Sequence, residues 1–471
     1  MEIIHISAEC YPVAKVGGLA DVVGALAKTQ TQEGLSVKVV IPYYNLSSLK
    51  TIQTETIFSS DVKLGQFNFP FSILKAFNTR LEFDLYLIVI PELFDREEIY
   101  GYRDDIERFV AFQIAFLNWQ KTIETIPSVL HCHDYHSALI PFMITHSYEY
   151  NILCRIPTLL TLHNALYQGQ FGFDKLHYLP QYDLSKTNIL EWGGNINSIA
   201  AGLRSARAIT TVSPSYLEQI NTNGYGLEYL FREVRYKSKG ILNGIDTEVW
   251  NPETDNKIAA QYGIKNATVG KKINKEKLCE MFHLDVNIPI ICFIGRLYEE
   301  KGADLLYEFS KKTLQENAEK FNILILGSGN EAIEKQLQSL VADSQGVYNL
   351  FVGFDEDLAH LIYGGSDFIL MPSRTESCGL NQMYGYRYGT IPVVRKTGGL
   401  IDTVQDIDKN GLGICFQNET VEDITSAIER AVTLFENKEK LNTIIKSGMM
   451  RDHSWNKANQ DYLKMYKLII K

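Results

Sequence analysis

Short, nearly continuous runs of isoleucine, valine and leucine recur along this chain with helix-patterned segments between them, and no other feature limits its fold as tightly. The runs are Ile3–Ser7, Val37–Ile41, Asp84–Ile90, Val129–His133, Thr158–Leu162 and Ala208–Val212. A second series follows: Ile290–Ile294, Asn322–Leu326, Tyr348–Val352, Asp367–Met371, Ile391–Val394 and Gly413–Phe416. Strands read this way when helices cover both faces of a parallel sheet. The pattern predicts an α/β protein with two doubly wound, Rossmann-like domains, since 471 residues exceed one ordinary core. The change of domain falls in the turn-rich stretch around Tyr236–Asp246, which gives expected domains of 1–240 and 241–450. A helical C-terminal segment, 451–471, closes the chain.

Composition narrows the function classes. With 45% hydrophobic and 22% charged residues the chain reads as a soluble globular protein. It contains no apolar run of the ~18 residues a membrane span needs, and it starts with a strand pattern rather than a secretory leader, so a cytoplasmic location is expected. A formal charge of −10 argues against a nucleic-acid surface, and no membrane partner is expected either. Seven cysteines without a Cys-x-x-Cys pair point to reduced, structural thiols.

In open α/β sheets ligands bind beyond the carboxyl ends of the strands, and the candidate motifs stand at those ends. Lys15-Val16-Gly17-Gly18-Leu19 joins the first run to a helical segment; its glycines let backbone N–H groups approach an anion, or simply make a tight turn beside a solvated lysine. Gly295-Arg296-Leu297, followed by Glu299, Glu300, Lys301 and Gly302, sets two cations at a strand end, suited to a diphosphate or to a surface ion-pair group. Glu376 with Cys378, Gly379 and Leu380 opens a helix, where the carboxylate can accept sugar hydroxyls or complement the helix dipole. Thr397-Gly398-Gly399-Leu400 mirrors the first glycine pair. Gly327-Ser328-Gly329 fits a loose dinucleotide fingerprint, but it is not the first strand-to-helix turn of the chain and lacks a suitable acidic partner. His131-Cys132-His133-Asp134-Tyr135-His136 invites a metal reading; without a second ligand cluster, no metal is expected. His163 and Asn164 end the Thr158–Leu162 run. Neither a Gly-x-Ser-x-Gly nucleophile turn nor a Gly-x-x-x-x-Gly-Lys-Ser/Thr phosphate loop occurs.

In order and spacing, these motifs resemble the bacterial glycogen synthase and plastid starch synthase family. The likeness runs from Ser7-Ala8-Glu9 and Lys15–Val22 through His133-Asp134-Tyr135-His136, Leu162-His163-Asn164, Thr211-Val212-Ser213-Pro214 and Leu242–Asp246. It continues in Gly295-Arg296-Leu297, Lys301-Gly302, Pro372–Leu380 and Thr397–Leu400. The resemblance implies a GT-B architecture with the two domains facing each other across a cleft, and a C-terminal helix that returns to the first domain. It further implies retaining transfer of glucose from ADP-glucose to the non-reducing end of an α-1,4-glucan, without metal or bound cofactor. By the same resemblance, Lys15, Gly17, Gly18, Arg296 and Lys301 belong to the donor-phosphate site, and Glu376, Cys378, Gly379 and Leu380 to the glucose site. Asp21, His163, Asn164 and Asn243 stand nearby, with the His163 carbonyl facing the anomeric centre, and Phe354 takes the place of a base-stacking tyrosine. Glu9, Tyr100, Asp134 and His136 are implied as acceptor-side or supporting residues. The chain departs from the family pattern at Thr375, Ser377 and Asn381, and carries Tyr135 where tryptophan is commoner. Three alternatives accompany this reading: a UDP-glucose-using enzyme, a glucan phosphorylase, which would need pyridoxal phosphate and a longer chain, and a non-catalytic glucan-binding or regulatory relative. Oligomeric state is not legible.

Overall fold

Parallel sheets form where the apolar runs predict them. The computed structural model describes residues 1–316, 320–344 and 346–471, which divide into two compact units: Met1–Gly244 with Trp455–Lys471, and Ile245–Ser454. Each unit ends four residues beyond the boundary expected from the turn-rich stretches. The parallel bridge between Ile245 and Ser454 and the Ile245 N–H to His453 carbonyl bond of 2.8 Å hold the two ends of the second unit together.

Among the described residues, the first unit holds a nine-stranded sheet in the order Ser238–Gly240, Ala208–Thr211, Thr158–Leu162, Val129–His133, Glu2–Ile6, Ser36–Pro42, Asp84–Val89, Phe67–Phe77, Gln53–Leu64. The strands from Ser238–Gly240 to Asp84–Val89 pair in parallel, and the last two form an antiparallel hairpin at the edge. That hairpin lies outside the expected strands, although Phe67, Phe69, Phe71 and Ile73 alternate and Gly65 turns at φ 59°. Winding reverses at the first strand, Glu2–Ile6, whose neighbours are Ser36–Pro42 and Val129–His133.

The helix Trp455–Ile470 belongs to this unit. Trp455, Ala458, Tyr462, Met465, Tyr466 and Ile469 form one stripe at helical spacing, and the stripe is buried against Ile3, Val22, Leu26, Val129, Leu159 and Ala208. Burying so many large side chains ties the end of the chain to strands near its beginning.

The second unit contains, among the described residues, a six-stranded all-parallel sheet ordered Tyr348–Val352, Asn322–Gly327, Ile290–Ile294, Phe368–Met371, Ile391–Arg395, Ile414–Phe416. Numbered along the chain this is 3-2-1-4-5-6, the doubly wound order whose switch point lies between the first and fourth strands. Every expected strand of this half forms. The dinucleotide-like glycines find another use: a Cβ on Gly327 would strike the Gly295 carbonyl oxygen, and Leu297 bridges to Gly329, so they let two strand-end loops touch. Asn330 caps the following helix, Glu331–Ser339, by accepting from the Ala332 N–H at 2.9 Å.

Candidate active site

In the second unit, the loops that leave the two strands at the switch point are held together by backbone. Gly302 adopts φ 73°, and a Cβ there would run into the Pro372 carbonyl oxygen. Arg374 reinforces the approach: its N–H donates to the Glu300 carbonyl at 2.9 Å, and its guanidinium grips Asp304 at 2.6 and 2.8 Å. The contact brings Lys301 Nζ to 2.7 Å from Glu376 Oε2, which also accepts from Ser373 Oγ at 3.1 Å. Glu376 is 8% exposed, and its carbonyl accepts from the Gly399 N–H at 3.0 Å. Gly399 itself cannot carry a Cβ without striking the Cys378 backbone, so the second glycine pair is a close-packing device under the glutamate loop. Cys378 is buried, and Gly379 turns at φ 73° into the helix Asn381–Tyr388 behind Leu380.

Arg296 behaves differently from Lys301. Its side chain is 42% exposed and its contact with Glu300 is a loose 3.6 Å, leaving a guanidinium that can turn to an anion at little cost. Phe354, beyond the strand Tyr348–Val352, is largely exposed.

In the first unit, the loop from Ser7 to Gly17 is organised by Glu9. The Glu9 carboxylate accepts from the Val16 N–H at 2.5 Å, the Gly17 N–H at 2.9 Å and the Tyr100 hydroxyl at 2.7 Å. Two donors that the glycine turn was expected to offer a ligand are thus taken within the protein. Burial raises the Glu9 pKa against these bonds, and burial with the nearby Glu9 charge raises that of Tyr100. Lys15 pairs with Asp21 at 2.9 Å and lies 5.0 Å from the Tyr11 ring, so this cation is positioned rather than freely solvated. Gly17 is the residue before the helix Gly18–Gln32, extended at φ −147° with open space around it.

Asp134 follows the strand Val129–His133 at φ 52°, a left-handed conformation uncommon for a residue with a Cβ. Its carboxylate accepts from the His163 N–H at 2.7 Å and reaches the Asn164 N–H at 3.5 Å. The carboxylate thus clamps the end of the neighbouring strand, and burial pushes its pKa up to about 7. His163 is 7% exposed, its ring bonded to His133 at 3.0 Å, and burial lowers its pKa to about 3. The His136 ring is packed among Tyr100, Phe109 and Tyr135, with neither nitrogen bonded to the described residues; burial lowers its pKa to about 3. Asn164 Oδ1 accepts from the Leu166 N–H at 3.0 Å, while Asn243 is buried with Oδ1 unbonded.

Sequence reasoning missed Ser373 beside Glu376, and it missed His5, Gln30 and Tyr466 behind His163. His5 stands in register with His131 across the parallel strands, a pairing that spacing along the chain does not reveal.

The chain matches the family model for the starch synthase catalytic domain over residues 2–233 and that for group 1 glycosyl transferases over residues 274–448. It is 57% identical to a glycogen synthase of Flavobacterium johnsoniae over 470 residues, covering 100% of this chain and 99% of that protein. The chain belongs to the glycogen synthase and starch synthase family. A glycogen synthase of Thermodesulfovibrio yellowstonii is 37% identical, with 100% of this chain and 98% of the relative covered. The structure resembles the catalytic domain of starch synthase IV from Arabidopsis thaliana, solved with ADP and acarbose. The TM-score is 0.92 at 30% identity over 99% of both chains. A sucrose-phosphate synthase from Thermosynechococcus elongatus shares the fold, with a TM-score of 0.63 at 16% identity over 99% of this chain and 98% of that one. The family is one of glycosyltransferases, and its GT-B fold agrees with the two doubly wound sheets. No helix among the described residues is long and apolar enough to cross a membrane.

Two outcomes follow from the geometry of the loops and the buried rings. Gly302→Ala should cost about 2 kcal/mol in urea unfolding, through strain at positive φ and the Pro372 clash, whereas Gly17→Ala should stay within roughly 0.5 kcal/mol. Equal costs would mean that the Gly302 turn relaxes freely.

The His136 ring stays neutral in the folded unit while the unfolded chain protonates near pH 6.5, so its contribution is present above pH 6.5 and is lost as pH falls toward about 3. Asp134 has the opposite sign, adding stability below its ordinary range that is lost as pH rises through about 7. Between pH 7 and 4.5, His136→Phe should therefore lose less stability than the unsubstituted chain, by about 3 kcal/mol. Parallel urea midpoints across that range would show instead that the ring is protonated while folded.

Proposed function

We propose that this chain is an ADP-glucose-dependent glycogen synthase that extends the non-reducing end of an α-1,4-glucan with retention of configuration. The observation that carries this reading is the full-length likeness to a starch synthase domain solved with a nucleoside diphosphate and a saccharide analogue, ADP and acarbose. The Lys301 and Glu376 pair at the switch point of the second sheet supports it, because diphosphate and sugar both need polar groups at such a place.

In the proposed reaction the bond between glucose C1 and the β-phosphate oxygen breaks, and the electron pair leaves with ADP. Arg296 and Lys301 offset the charge that develops on that oxygen, and Lys15 with Gly18 serves the same phosphates. The sugar gains oxocarbenium character. Glu376, Cys378, Gly379 and Leu380 hold the glucose, and the His163 carbonyl faces the positive centre with Asp21, Asn164 and Asn243 around it. The acceptor O4 bonds to C1 on the face the phosphate leaves, and its proton passes to the departing phosphate oxygen. Glu376 acts by orientation and charge. Its 2.7 Å bond to Lys301 keeps the carboxylate engaged. Glu9, Tyr100, Asp134 and His136 hold the first-unit loops on the acceptor side, and Phe354 stacks on the base.

Initial rates with ADP-glucose and UDP-glucose, each with glycogen, test the reading. ADP release that depends on glycogen and exceeds the UDP-glucose rate is expected. Faster turnover of UDP-glucose would replace the donor, and no glycogen-dependent release from either would favour a glucan-binding relative without activity.

The two cations should part company on substitution. Arg296→Ala removes a half-exposed group and should lower kcat at least about tenfold, with the melting temperature unchanged. Lys301→Ala should lower kcat similarly and also reduce the melting temperature, because it leaves the buried Glu376 carboxylate without its cation. Unchanged kinetics in Arg296→Ala would return that residue to the surface.

A further inference from the structure

The proposed reaction leaves a column of buried side chains behind His163 without a task. The His163 ring Nε2 lies 3.0 Å from His133 Nδ1, His133 Nε2 lies 3.0 Å from His5 Nδ1, and His5 Nε2 lies 2.9 Å from Gln30 Oε1. Gln30 Nε2 donates to the Tyr466 hydroxyl at 3.1 Å, and that oxygen is 2.8 Å from His131 Nδ1. His131 Nε2 lies 2.6 Å from Thr161 Oγ1, which in turn lies 2.6 Å from Thr210 Oγ1. His5, Gln30, His131 and His133 are all fully buried.

The ligand atoms of His5, His131 and His133 lie within 4.8 Å of one another, which is close enough to consider a cation. Yet both nitrogens of each ring already have a side-chain partner, and His131 and His133 are stacked with centroids 4.2 Å apart. A cation would have to break those bonds. The column instead has a direction. A neutral imidazole has one donor and one acceptor nitrogen, so each ring passes its orientation to the next. Gln30 Oε1 only accepts; His5 therefore carries its proton on Nε2, His133 donates from Nε2 to His5, and His163 donates from Nε2 to His133. Turning the Gln30 amide over would move every one of these protons to the other nitrogen. Burial keeps the rings neutral, lowering His5 to about 4 and His163 to about 3.

We propose that Gln30, His5 and His133 are positioning residues for glucosyl transfer: their hydrogen-bond column holds the His163 ring in one orientation, protonated on Nε2. His163 is then fixed at two points, its N–H on Asp134 Oδ1 at 2.7 Å and its ring on His133 at 3.0 Å. A peptide held at both points presents its carbonyl in one direction, as preorganised stabilisation of a cationic centre requires. Tyr466 brings the C-terminal helix Trp455–Ile470 into the same column, so docking of that helix bears on the site. The inference rests on the assignment of His163 to the sugar side.

The test combines kinetics with 15N spectra of the full chain labelled at histidine, the His163 signals being identified by their loss in His163→Gln. The unsubstituted chain should show His163 protonated on Nε2 alone. Gln30→Met, which removes the acceptor for His5, should give mixed His163 tautomers and a kcat lower by on the order of tenfold, with the donor KM within about twofold. Gln30→Glu, which still accepts from His5, should restore the single tautomer and most of kcat. Tyr466→Phe is the milder variant if Gln30→Met does not fold, and partial mixing is expected of it. A His163 proton on Nδ1 in the unsubstituted chain overturns the proposal. So does a Gln30→Met or Tyr466→Phe chain that melts earlier yet keeps both the tautomer and kcat. If the unsubstituted chain transfers no glucose, the functional reading falls, while the tautomer in each variant still decides the column.

Discussion

Parallel pairing brings every strand of the second sheet out at one edge, and the winding reverses between Ile290–Ile294 and Phe368–Met371. The loops leaving those two strands would diverge if nothing held them. Gly302 prevents it: only a residue without Cβ lets the turn sit on the Pro372 carbonyl. The ion pair of Lys301 with Glu376 is the consequence. It shares two charges between loops 75 residues apart in sequence, and it gives a nearly buried carboxylate the partner its desolvation demands. The glutamate loop, the Gly398-Gly399 turn beneath it and the Arg374 grip on Asp304 all depend on that approach.

The fold was legible because buried parallel strands leave unmistakable apolar runs, and all six strands of the second sheet form where they were read. The edge hairpin Gln53–Phe77 was overlooked for the converse reason. Its outer strand is largely exposed, and an alternation broken by Pro70 and several charged residues carries less signal than a continuous run. The glycine motifs were legible as places of close approach, but not what approaches. Gly327 meets the Gly295 carbonyl and Gly399 meets the Cys378 backbone, contacts within the protein that a motif resembling a phosphate loop does not announce.

Candidate site residues were legible as strand-end positions, and their partners within the fold were not. Glu9 reads as one acidic residue in a loop until three donors converge on it, and Asp134 as one acidic residue in a histidine-rich run until its carboxylate is found on the N–H groups of His163 and Asn164. The histidine column lay furthest from reach. His131 and His133 share a strand face by period, but His5 joins them only because Glu2–Ile6 pairs beside Val129–His133 with His5 opposite His131. Gln30 and Tyr466 arrive from two helices more than 400 residues apart.

The two units meet the cost of buried polar groups in different ways. In the second, the charge is kept and compensated: Lys301 is partly exposed, Glu376 is paired with it, and Arg296 remains in contact with solvent. In the first, the histidines behind the site are stripped of charge by burial and bonded end to end, so that none is left with an unmet nitrogen between Gln30 and His163. Neutral rings in a column cannot supply net charge to a reaction, but they can hold direction, since reversing one bond reverses all of them.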